Sequence, residues 1–330
     1  MPYRYLYTVF SRTIQFSTGP THLHETMAAT TTIEVPHMGG IQAGYALSGP
    51  GGAYDPSKPT CVLINSMCTT VSLYKDQFAD EELTSAINLL AIEPLGHGAT
   101  SLPSSTEHFT YWDSAIMALQ VMDRLGIREA FALGTSQGGW IVTRMALLAP
   151  RRILGLLLLG TSIDYESAAS REQFGAWDPK TLLTPFYDKW CSATATPEFV
   201  VDDVWCGMVA TLGFGAEATA ELTQFWISTL KDVYKGDEGR KKLRMALACL
   251  LDRDGLCRRV RDITCPVHWL QGTEDAPFGT KLPAEHIKLF TSSKEAKFTI
   301  IEGGNHYLNA TNPKEVGFYL SQMVNKHSTR

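Results

Sequence analysis

Ser136 lies in the stretch GTSQGG, residues 134–139, and this G-x-S-x-G pattern is typical of a nucleophilic serine. An apolar run of strand length precedes it, and a segment of helical polarity follows it. On such a strand–turn–helix elbow the serine has a strained backbone, and the flanking glycines let the turn close without Cβ clashes. The competing interpretation is a structural turn that contains a serine, but both flanks favour the nucleophile.

A serine hydroxyl needs a base, and the base needs an acid that orients it. His306 and Asp275 each lie just past a strand-like run, residues 296–303 and 265–272 respectively. The carboxyl ends of parallel strands share one edge of a sheet, so these side chains can meet Ser136 there. We therefore predict that His306 takes the serine proton and that Asp275 holds the imidazole in the correct tautomer.

Two other carboxyl groups remain candidates for the acid. Glu274 is adjacent to Asp275, and Asp164 follows the apolar run at residues 153–160. The order serine, aspartate, histidine along the chain favours Asp275 and leaves the other two as alternatives.

Acyl transfer also needs two hydrogen-bond donors for the oxyanion. The backbone N–H of Gln137, directly after the serine, is one candidate. The other is expected in the loop after the strand-like run at residues 60–66, where Met67 follows. Only the backbone of Met67 would take part, so its apolar side chain is no obstacle.

The remaining histidines and the cysteines have no metal-binding spacing. The seven cysteines are scattered without a C-x-x-C pair, which is typical of a reducing compartment and not of a disulfide framework or a zinc site. His97, in the stretch GHG, is interpreted as a structural residue that holds a loop. We predict no metal and no cofactor.

Apolar runs of strand length alternate with helical segments up to about residue 164, which predicts βαβ units and a mainly parallel sheet. Residues 165–255 contain no such strand and are rich in aromatic residues, including four of the seven tryptophans. The strand–helix rhythm then returns. The sequence therefore predicts an α/β core, residues 27–164 and 256–330, with a helical cap, residues 165–255, inserted after the sixth strand.

Residues 1–26 are expected to be a leader outside the fold. They contain Arg4 and Arg12 and no acidic residue before Glu25, a bias that resembles a mitochondrial transit peptide. An unstructured leader, or an upstream start with Met27 as the true beginning, is the simpler interpretation.

The charge distribution argues against nucleic acid as a partner. The formal net charge is −5, and the small basic cluster at residues 240–244 is interpreted as the solvated face of a helix. No apolar stretch reaches the roughly 18–20 residues that span a bilayer, so no membrane partner is expected. We predict a cytoplasmic protein, or a mitochondrial one if the leader is a transit peptide. The sequence does not determine its oligomeric state.

The chain resembles the α/β-hydrolase superfamily over about residues 33–325. The resemblance rests on the motifs NSMCTT, EPLGHGAT, GTSQGG, LLLLGTS, CPVHWLQGTEDAPFG and GGNHYLN, in this order. The segment INSMCTTVSLYKDQF looks most like the NSLG loop of 3-oxoadipate enol-lactonases, which hydrolyse a small enol-lactone and have a helical cap. Asn65-Ser66 and Glu93 depart from the common pattern, since many members have His-Gly and Asp at these places.

The resemblance and the residues together imply a serine hydrolase that cleaves a carboxylic ester, lactone or thioester through an acyl-enzyme. The aromatic cap favours an apolar or aromatic small-molecule substrate. The same triad can also cleave a carbon–carbon bond next to a ketone or form a perester. A small-molecule receptor with slow turnover can share the fold, and the sequence leaves these alternatives open.

Overall fold

The protein is described by a computed structural model that covers residues 29–103, 106 and 108–328. The predicted leader lies outside the described residues. One eight-stranded sheet forms the centre of the described chain. Its strands are β1 (Thr31–Val35), β2 (Ile41–Leu47), β3 (Thr60–Ile64), β4 (Asn88–Ile92), β5 (Ala130–Thr135), β6 (Ile153–Leu159), β7 (Val267–Gly272) and β8 (Ala296–Ile301).

The strands lie in the order β1-β2-β4-β3-β5-β6-β7-β8. The pairs β1–β2 and β2–β4 are antiparallel, and the other pairs of this sheet are parallel. The predicted α/β fold with a mainly parallel sheet is therefore confirmed.

Helices cover the sheet and fill the long segment between β6 and β7. In the described part of the chain they are α1 (Lys75–Ala79), α2 (Glu81–Ala86), α3 (Tyr111–Arg124), α4 (Gln137–Leu148), α5 (Ala168–Phe174), α6 (Pro179–Lys189), α7 (Asp203–Phe214), α8 (Ala220–Val233), α9 (Gly236–Leu251), α10 (Lys281–His286), α11 (Leu308–Thr311) and α12 (Pro313–His327). None of them combines the length and the apolar character needed to cross a membrane.

The central strands are buried on both faces, and this explains their continuous apolar sequence. In β3, Val62 and Ile64 belong to the apolar cluster on one face of the sheet, while Cys61 and Leu63 belong to the cluster on the other. Alternate side chains of a strand point to opposite faces. A strand covered by helices on both faces is therefore apolar at every position.

The helical segment after the sixth strand, α5–α9, carries the predicted cap. Its aromatic residues mainly pack against one another: the ring centroid of Trp205 lies 4.8 Å from that of Trp190 and 5.0 Å from that of Phe186. Such edge-to-face pairs are a favourable arrangement of aromatic rings. Much of the aromatic richness of the segment therefore serves its own core.

The basic cluster at residues 240–244 was expected on a solvated helix face, and this interpretation is wrong for Arg240. Its side chain is buried and donates to the Trp190 carbonyl and to the Thr196 hydroxyl. Lys242, mostly shielded from solvent, donates from Nζ to the Gly98 carbonyl. The two residues therefore join α9 to other parts of the fold, which local charge patterning does not reveal.

Two ion pairs fix the ends of the cap segment, and we call the first of them, between Glu166 and Arg253, the cap clasp. Glu166, where the segment begins, pairs with Arg253, where it ends, and both side chains are almost fully buried. The next residue, Asp254, pairs with the buried Arg144 of α4. The Arg253 guanidinium also lies 4.7 Å from the ring centroid of Trp140, in cation–π contact. Both ends of the cap segment are thus tied to the core.

Glu166→Gln is expected to lower the free energy of unfolding by about 3–5 kcal/mol, because Arg253 would stay buried without a carboxylate. Asp232→Asn is the matched control, since it breaks an exposed pair with Lys235. Such a pair contributes about 1 kcal/mol or less. Urea unfolding of both variants measures the difference. Equal losses in the two variants would contradict a stabilising role for the clasp.

Candidate active site

Ser136 lies in the sharp turn between β5 and α4, with φ 55° and ψ −117°. Residues other than glycine rarely adopt this backbone conformation. The conformation persists only when the surrounding structure fixes it. The Ser136 N–H donates to the Leu159 carbonyl at 2.9 Å, and its carbonyl accepts from Thr161 Oγ1 at 2.7 Å. The end of β6 and the residues after it therefore hold the elbow in place.

The glycines around the serine are required by close packing of the backbone. A Cβ on Gly134 would lie 2.2 Å from the Gly138 carbonyl carbon, and one on Gly138 would lie 1.9 Å from the Ile64 oxygen. A Cβ on Gly139 would come within 2.6 Å of Thr161. The first turn of α4 thus packs so closely against β3 and against its own preceding strand that only glycine fits at these positions.

His306 and Asp275, predicted to act together, lie side by side at the ends of β8 and β7. His306 Nδ1 lies 2.8 Å from Asp275 Oδ2, and both residues are buried. The other carboxylate oxygen of Asp275 accepts the Phe278 N–H at 2.9 Å. An ionised carboxylate only accepts hydrogen bonds, so the proton of a neutral His306 belongs on Nδ1 and Nε2 is left as a base.

The two alternative acids are placed elsewhere. Glu274 is exposed. Asp164 Oδ2 accepts hydrogen bonds from the hydroxyl groups of Ser167 and Ser170, at 2.6 and 2.5 Å, at the start of α5. Within the described chain, neither carboxylate is hydrogen-bonded to His306. The geometry thus favours Asp275 as the partner of the imidazole.

Ser136 and His306 line one small cavity of about 30 Å³ beneath the cap. Apolar side chains of the cap segment, among them Leu183, Met208 and Leu212, form much of the rest of its wall. No hydrogen bond joins the serine hydroxyl to the imidazole within the part of the chain that the structure describes. Contacts of this kind are often long in unliganded enzymes and shorten when substrate binds.

The predicted oxyanion donors, Met67 and Gln137, follow two neighbouring strands of the sheet. Met67 follows β3, which pairs with β5, the strand that leads to Gln137. Neither backbone N–H has a hydrogen-bond acceptor among the described residues. The Asn65 side chain fixes the loop by donating to the Thr69 carbonyl at 2.8 Å, and Cys68 turns it with φ 59°. Two free N–H groups at the end of a sheet can together bind an oxyanion.

A neutral histidine supports the residue that follows the nucleophile. The Gln137 amide donates from Nε2 to His97 Nε2 at 2.9 Å, and His97 Nδ1 donates to the Leu95 carbonyl at 2.9 Å. Burial lowers the pKa of His97 to about 4, so the ring is neutral at pH 7 and can accept. This agrees with the structural interpretation of His97. Its link to Gln137 could not be predicted from sequence, because 40 residues separate the two.

Ser66 and Tyr307 also line the cavity, and sequence reasoning missed both of them. Each is adjacent in the chain to a predicted site residue, Met67 and His306 respectively. Adjacency was the only available signal, and it does not say where a side chain points.

Comparisons with known proteins agree with this architecture. A sequence model of the family described as alpha/beta hydrolase fold matches residues 62–189. A search of curated proteins finds no significant match. Similarity to known proteins over most of the chain is therefore seen in the structure more than in the sequence.

Several solved structures share the fold at low sequence identity. A thermophilic esterase from Thermogutta terrifontis has a TM-score of 0.67 at 16% identity, covering 92% of this chain and 100% of its own. The enol-lactonase from Burkholderia xenovorans LB400 also has a TM-score of 0.67, at 19% identity, covering 89% of this chain and 100% of its own. A hydrolase from Pseudomonas aeruginosa PA01 has a TM-score of 0.62 at 24% identity, covering 89% and 98%. These likenesses establish the fold.

Gly138→Ala is expected to reduce stability strongly, because its Cβ would collide with the Ile64 carbonyl and push the elbow away from β3. Gly207→Ala in α7 is the matched control, since its Cβ would meet nothing within 4 Å. Alanine in a helix interior stabilises by up to about 1 kcal/mol relative to glycine. Thermal unfolding of both variants measures the difference. An unchanged Gly138→Ala protein would contradict the close packing of the elbow.

The buried histidine makes stability depend on pH. The pKa of His97 is about 4 in the folded protein, below the ordinary value of 6.5, so the unfolded chain binds more protons between these values. The contribution of His97 to the free energy of unfolding is therefore fully present above pH 6.5. It falls toward pH 4 by on the order of 3 kcal/mol. His268 and His286, with pKa values also lowered to about 4 by burial, act in the same direction.

The His97→Gln variant keeps hydrogen-bonding atoms at this position but cannot titrate. It is expected to lose less stability than the wild type between pH 6.5 and 4, measured by urea unfolding at several pH values. Parallel pH curves for the two proteins would show that His97 is not a source of the acid sensitivity.

Proposed function

Because this chain has the α/β-hydrolase fold, we propose that it is a serine hydrolase that cleaves a carboxylic ester, lactone or thioester of an apolar small molecule. The observation that carries this proposal is that Ser136, on its strained elbow, shares a buried cavity with the His306–Asp275 pair. A nucleophile, a base and an acid that orients the base are the groups that acyl transfer requires.

In the first half of the reaction, Ser136 Oγ attacks the carbonyl carbon and its proton passes to His306 Nε2. The carbonyl π electrons move to oxygen, and the Met67 and Gln137 N–H groups bind the resulting oxyanion. The bond to the leaving group then breaks, and His306 gives its proton to the departing alkoxide or thiolate. The product of this half is an acyl-enzyme on Ser136.

In the second half, water attacks the acyl carbon and His306 takes one proton from it. The serine leaves with that proton as the free acid forms. Asp275 stays ionised throughout, since its role is to hold the Nδ1–H tautomer and to stabilise the imidazolium. Its burial against His306 makes this interaction stronger than it would be in water.

The cavity wall indicates the polarity of the substrate. Cap residues such as Leu183, Met208 and Leu212 offer apolar surface and no charge, which favours an uncharged acyl chain. Trp177 is the aromatic residue that the cap segment contributes to this wall. Solved structures with this fold include proteins described as an esterase and an enol-lactonase, which agrees with the proposed reaction.

The size of the cavity indicates that the cap region moves during the reaction. A volume of about 30 Å³ holds roughly one water molecule, whereas ligand pockets of enzymes measure about 300–1,000 Å³. Substrate binding therefore requires side chains or helices of the cap segment to shift away from Ser136. Closure after binding would exclude water from the oxyanion.

Labelling with a fluorophosphonate probe, together with hydrolysis of p-nitrophenyl esters, tests the proposal. The wild type is expected to be labelled, and Ser136→Ala is expected to lose labelling and to lower kcat/KM by about 10⁴-fold or more. Asp275→Asn is expected to lower kcat by about 10²–10⁴-fold, because the imidazole loses the partner that fixes its tautomer.

Asp164→Asn is the matched control for the acid. Its carboxylate accepts hydrogen bonds from the Ser167 and Ser170 hydroxyls and is not hydrogen-bonded to His306 in the described chain, so labelling and kcat should stay within a few-fold of the wild type. Loss of labelling in Asp164→Asn but not in Asp275→Asn would reassign the acid. A wild type that binds ligands but neither reacts with the probe nor turns over esters would overturn the enzyme proposal.

A further inference from the structure

The cavity beside Ser136 contains two hydroxyl groups that the hydrolytic mechanism does not use. Ser66 and Tyr307 line it together with the reacting residues, and both are buried. The wall also includes Trp177, whose indole N–H is buried and has no hydrogen-bond partner among the described residues. Apart from Ser136, Ser66 and Tyr307 are the residues of this wall that carry hydroxyl groups.

Tyr307 is held rigidly, so its hydroxyl has a fixed position. Its N–H donates to the Gly213 carbonyl at 2.9 Å, and its ring centroid lies 5.1 Å from that of Phe214. A Cβ on Gly213 would lie only 2.0 Å from the ring, so α7 closes directly onto it. On its other side the ring lies 5.4 Å from the imidazole of His306.

Ser66 is fixed by the loop that carries the oxyanion donor. Its carbonyl accepts from Thr69 Oγ1 at 2.8 Å and from Asn65 Nδ2 at 3.1 Å. Tyr307 and Ser66 line the same cavity, and burial raises the pKa of the Tyr307 phenol, so it stays protonated. The pair thus offers both donors and acceptors beside Met67.

We propose that the Tyr307 and Ser66 hydroxyls bind an oxygen atom on the acyl group of the substrate, so that oxygenated acyl chains are preferred over plain ones. This inference rests on the proposed hydrolase function and names its substrate class: esters or lactones with a hydroxyl, ether or keto oxygen two or three bonds from the scissile carbonyl carbon.

The placement of the pair assigns this oxygen to the acyl side. Ser66 directly precedes Met67, whose N–H would hold the carbonyl oxygen, and neighbouring Cα atoms are about 3.8 Å apart. The leaving group must instead approach His306 Nε2 to receive its proton. Tyr307 lies beside His306 and lines the same cavity as Ser66 and Met67, which places it near the carbonyl end of the acyl chain.

The preference for an oxygenated acyl chain has an energetic reason: covering hydroxyl groups with hydrocarbon costs free energy. A plain alkyl chain would displace water from the pair and leave its remaining hydrogen-bonding capacity unused. An acyl oxygen supplies the missing partner. A site built to hydrogen-bond an oxygen therefore discriminates against the analogue that lacks it.

The test compares matched acyl groups in which an oxygen replaces a carbon. The p-nitrophenyl esters are methoxyacetate against butyrate, and 3-hydroxybutyrate against 3-methylbutyrate. For wild type, Tyr307→Phe and Ser66→Ala, the quantity measured is the ratio of kcat/KM between the two members of each pair. Comparing this ratio across proteins cancels the intrinsic reactivity of each ester.

For at least one pair, Tyr307→Phe is expected to lower the ratio about tenfold or more, and Ser66→Ala to lower it in the same pair. The plain esters should change only a few-fold. Tyr234→Phe is the matched control, because it removes a buried phenol that donates to the Gly96 carbonyl outside the cavity. That variant should leave the ratios unchanged. The rate of fluorophosphonate labelling shows that each variant has kept a working triad.

Three results would overturn the proposal. Unchanged ratios in Tyr307→Phe and Ser66→Ala would mean that the hydroxyls only satisfy each other. An equal fall for all esters would make Tyr307 an additional oxyanion donor or a positioning residue. A change confined to esters of an oxygenated alcohol, 2-methoxyethyl butyrate against butyl butyrate, would place the bound oxygen on the leaving group.

The failure of this inference is distinguishable from failure of the proposed function. If the wild type is labelled and Ser136→Ala is not, the hydrolase function stands whatever the ratios show. If the wild type neither reacts with the probe nor hydrolyses any ester, the hydrolase function fails first, and the substrate class fails with it.

Discussion

The backbone of Ser136 is held in a conformation that an isolated chain would avoid, and the geometry of the site depends on it. With φ at 55°, the serine projects from the turn between β5 and α4. The turn survives because α4 packs directly on β3, with Gly138 against the Ile64 carbonyl, and because β6 accepts the serine N–H. The strain of order 1–3 kcal/mol is thus offset by packing and hydrogen bonds of the core.

The parallel sheet brings the other groups to the same place. β3 and β5 are neighbours, so the loop with Met67 and the elbow with Gln137 lie side by side. β7 and β8 are neighbours too, and their ends carry Asp275 and His306. Residues separated by up to 240 positions therefore converge because parallel strands expose all their carboxyl ends at one edge.

The cap segment adds a second constraint, since it both encloses the site and must yield to substrate. Its own aromatic core and the clasp formed by Glu166 and Arg253 make it a stable unit. Its apolar side chains leave a cavity of about 30 Å³, too small for an ester. For the proposed reaction, side chains or helices of the cap segment would have to shift away from Ser136.

The sequence by itself determined the fold class, the strand–turn–helix elbow at Ser136 and the order of the reactive residues. These follow from local patterns: continuous apolar runs mark strands buried on both faces, and glycines mark a turn that must close tightly. The early and late strands and the cap after the sixth strand were predictable for the same reason.

Only the tertiary structure decided which groups meet. It favoured Asp275 over Glu274 and Asp164 as the partner of His306. It also packed many aromatic residues of the cap segment against one another and buried the Arg240 side chain. It also placed Tyr307 and Ser66 in the wall of one cavity, although 241 positions separate them. Contacts of this kind depend on strand order and on the packing of the cap onto the sheet, and neither is encoded in any local pattern of residues.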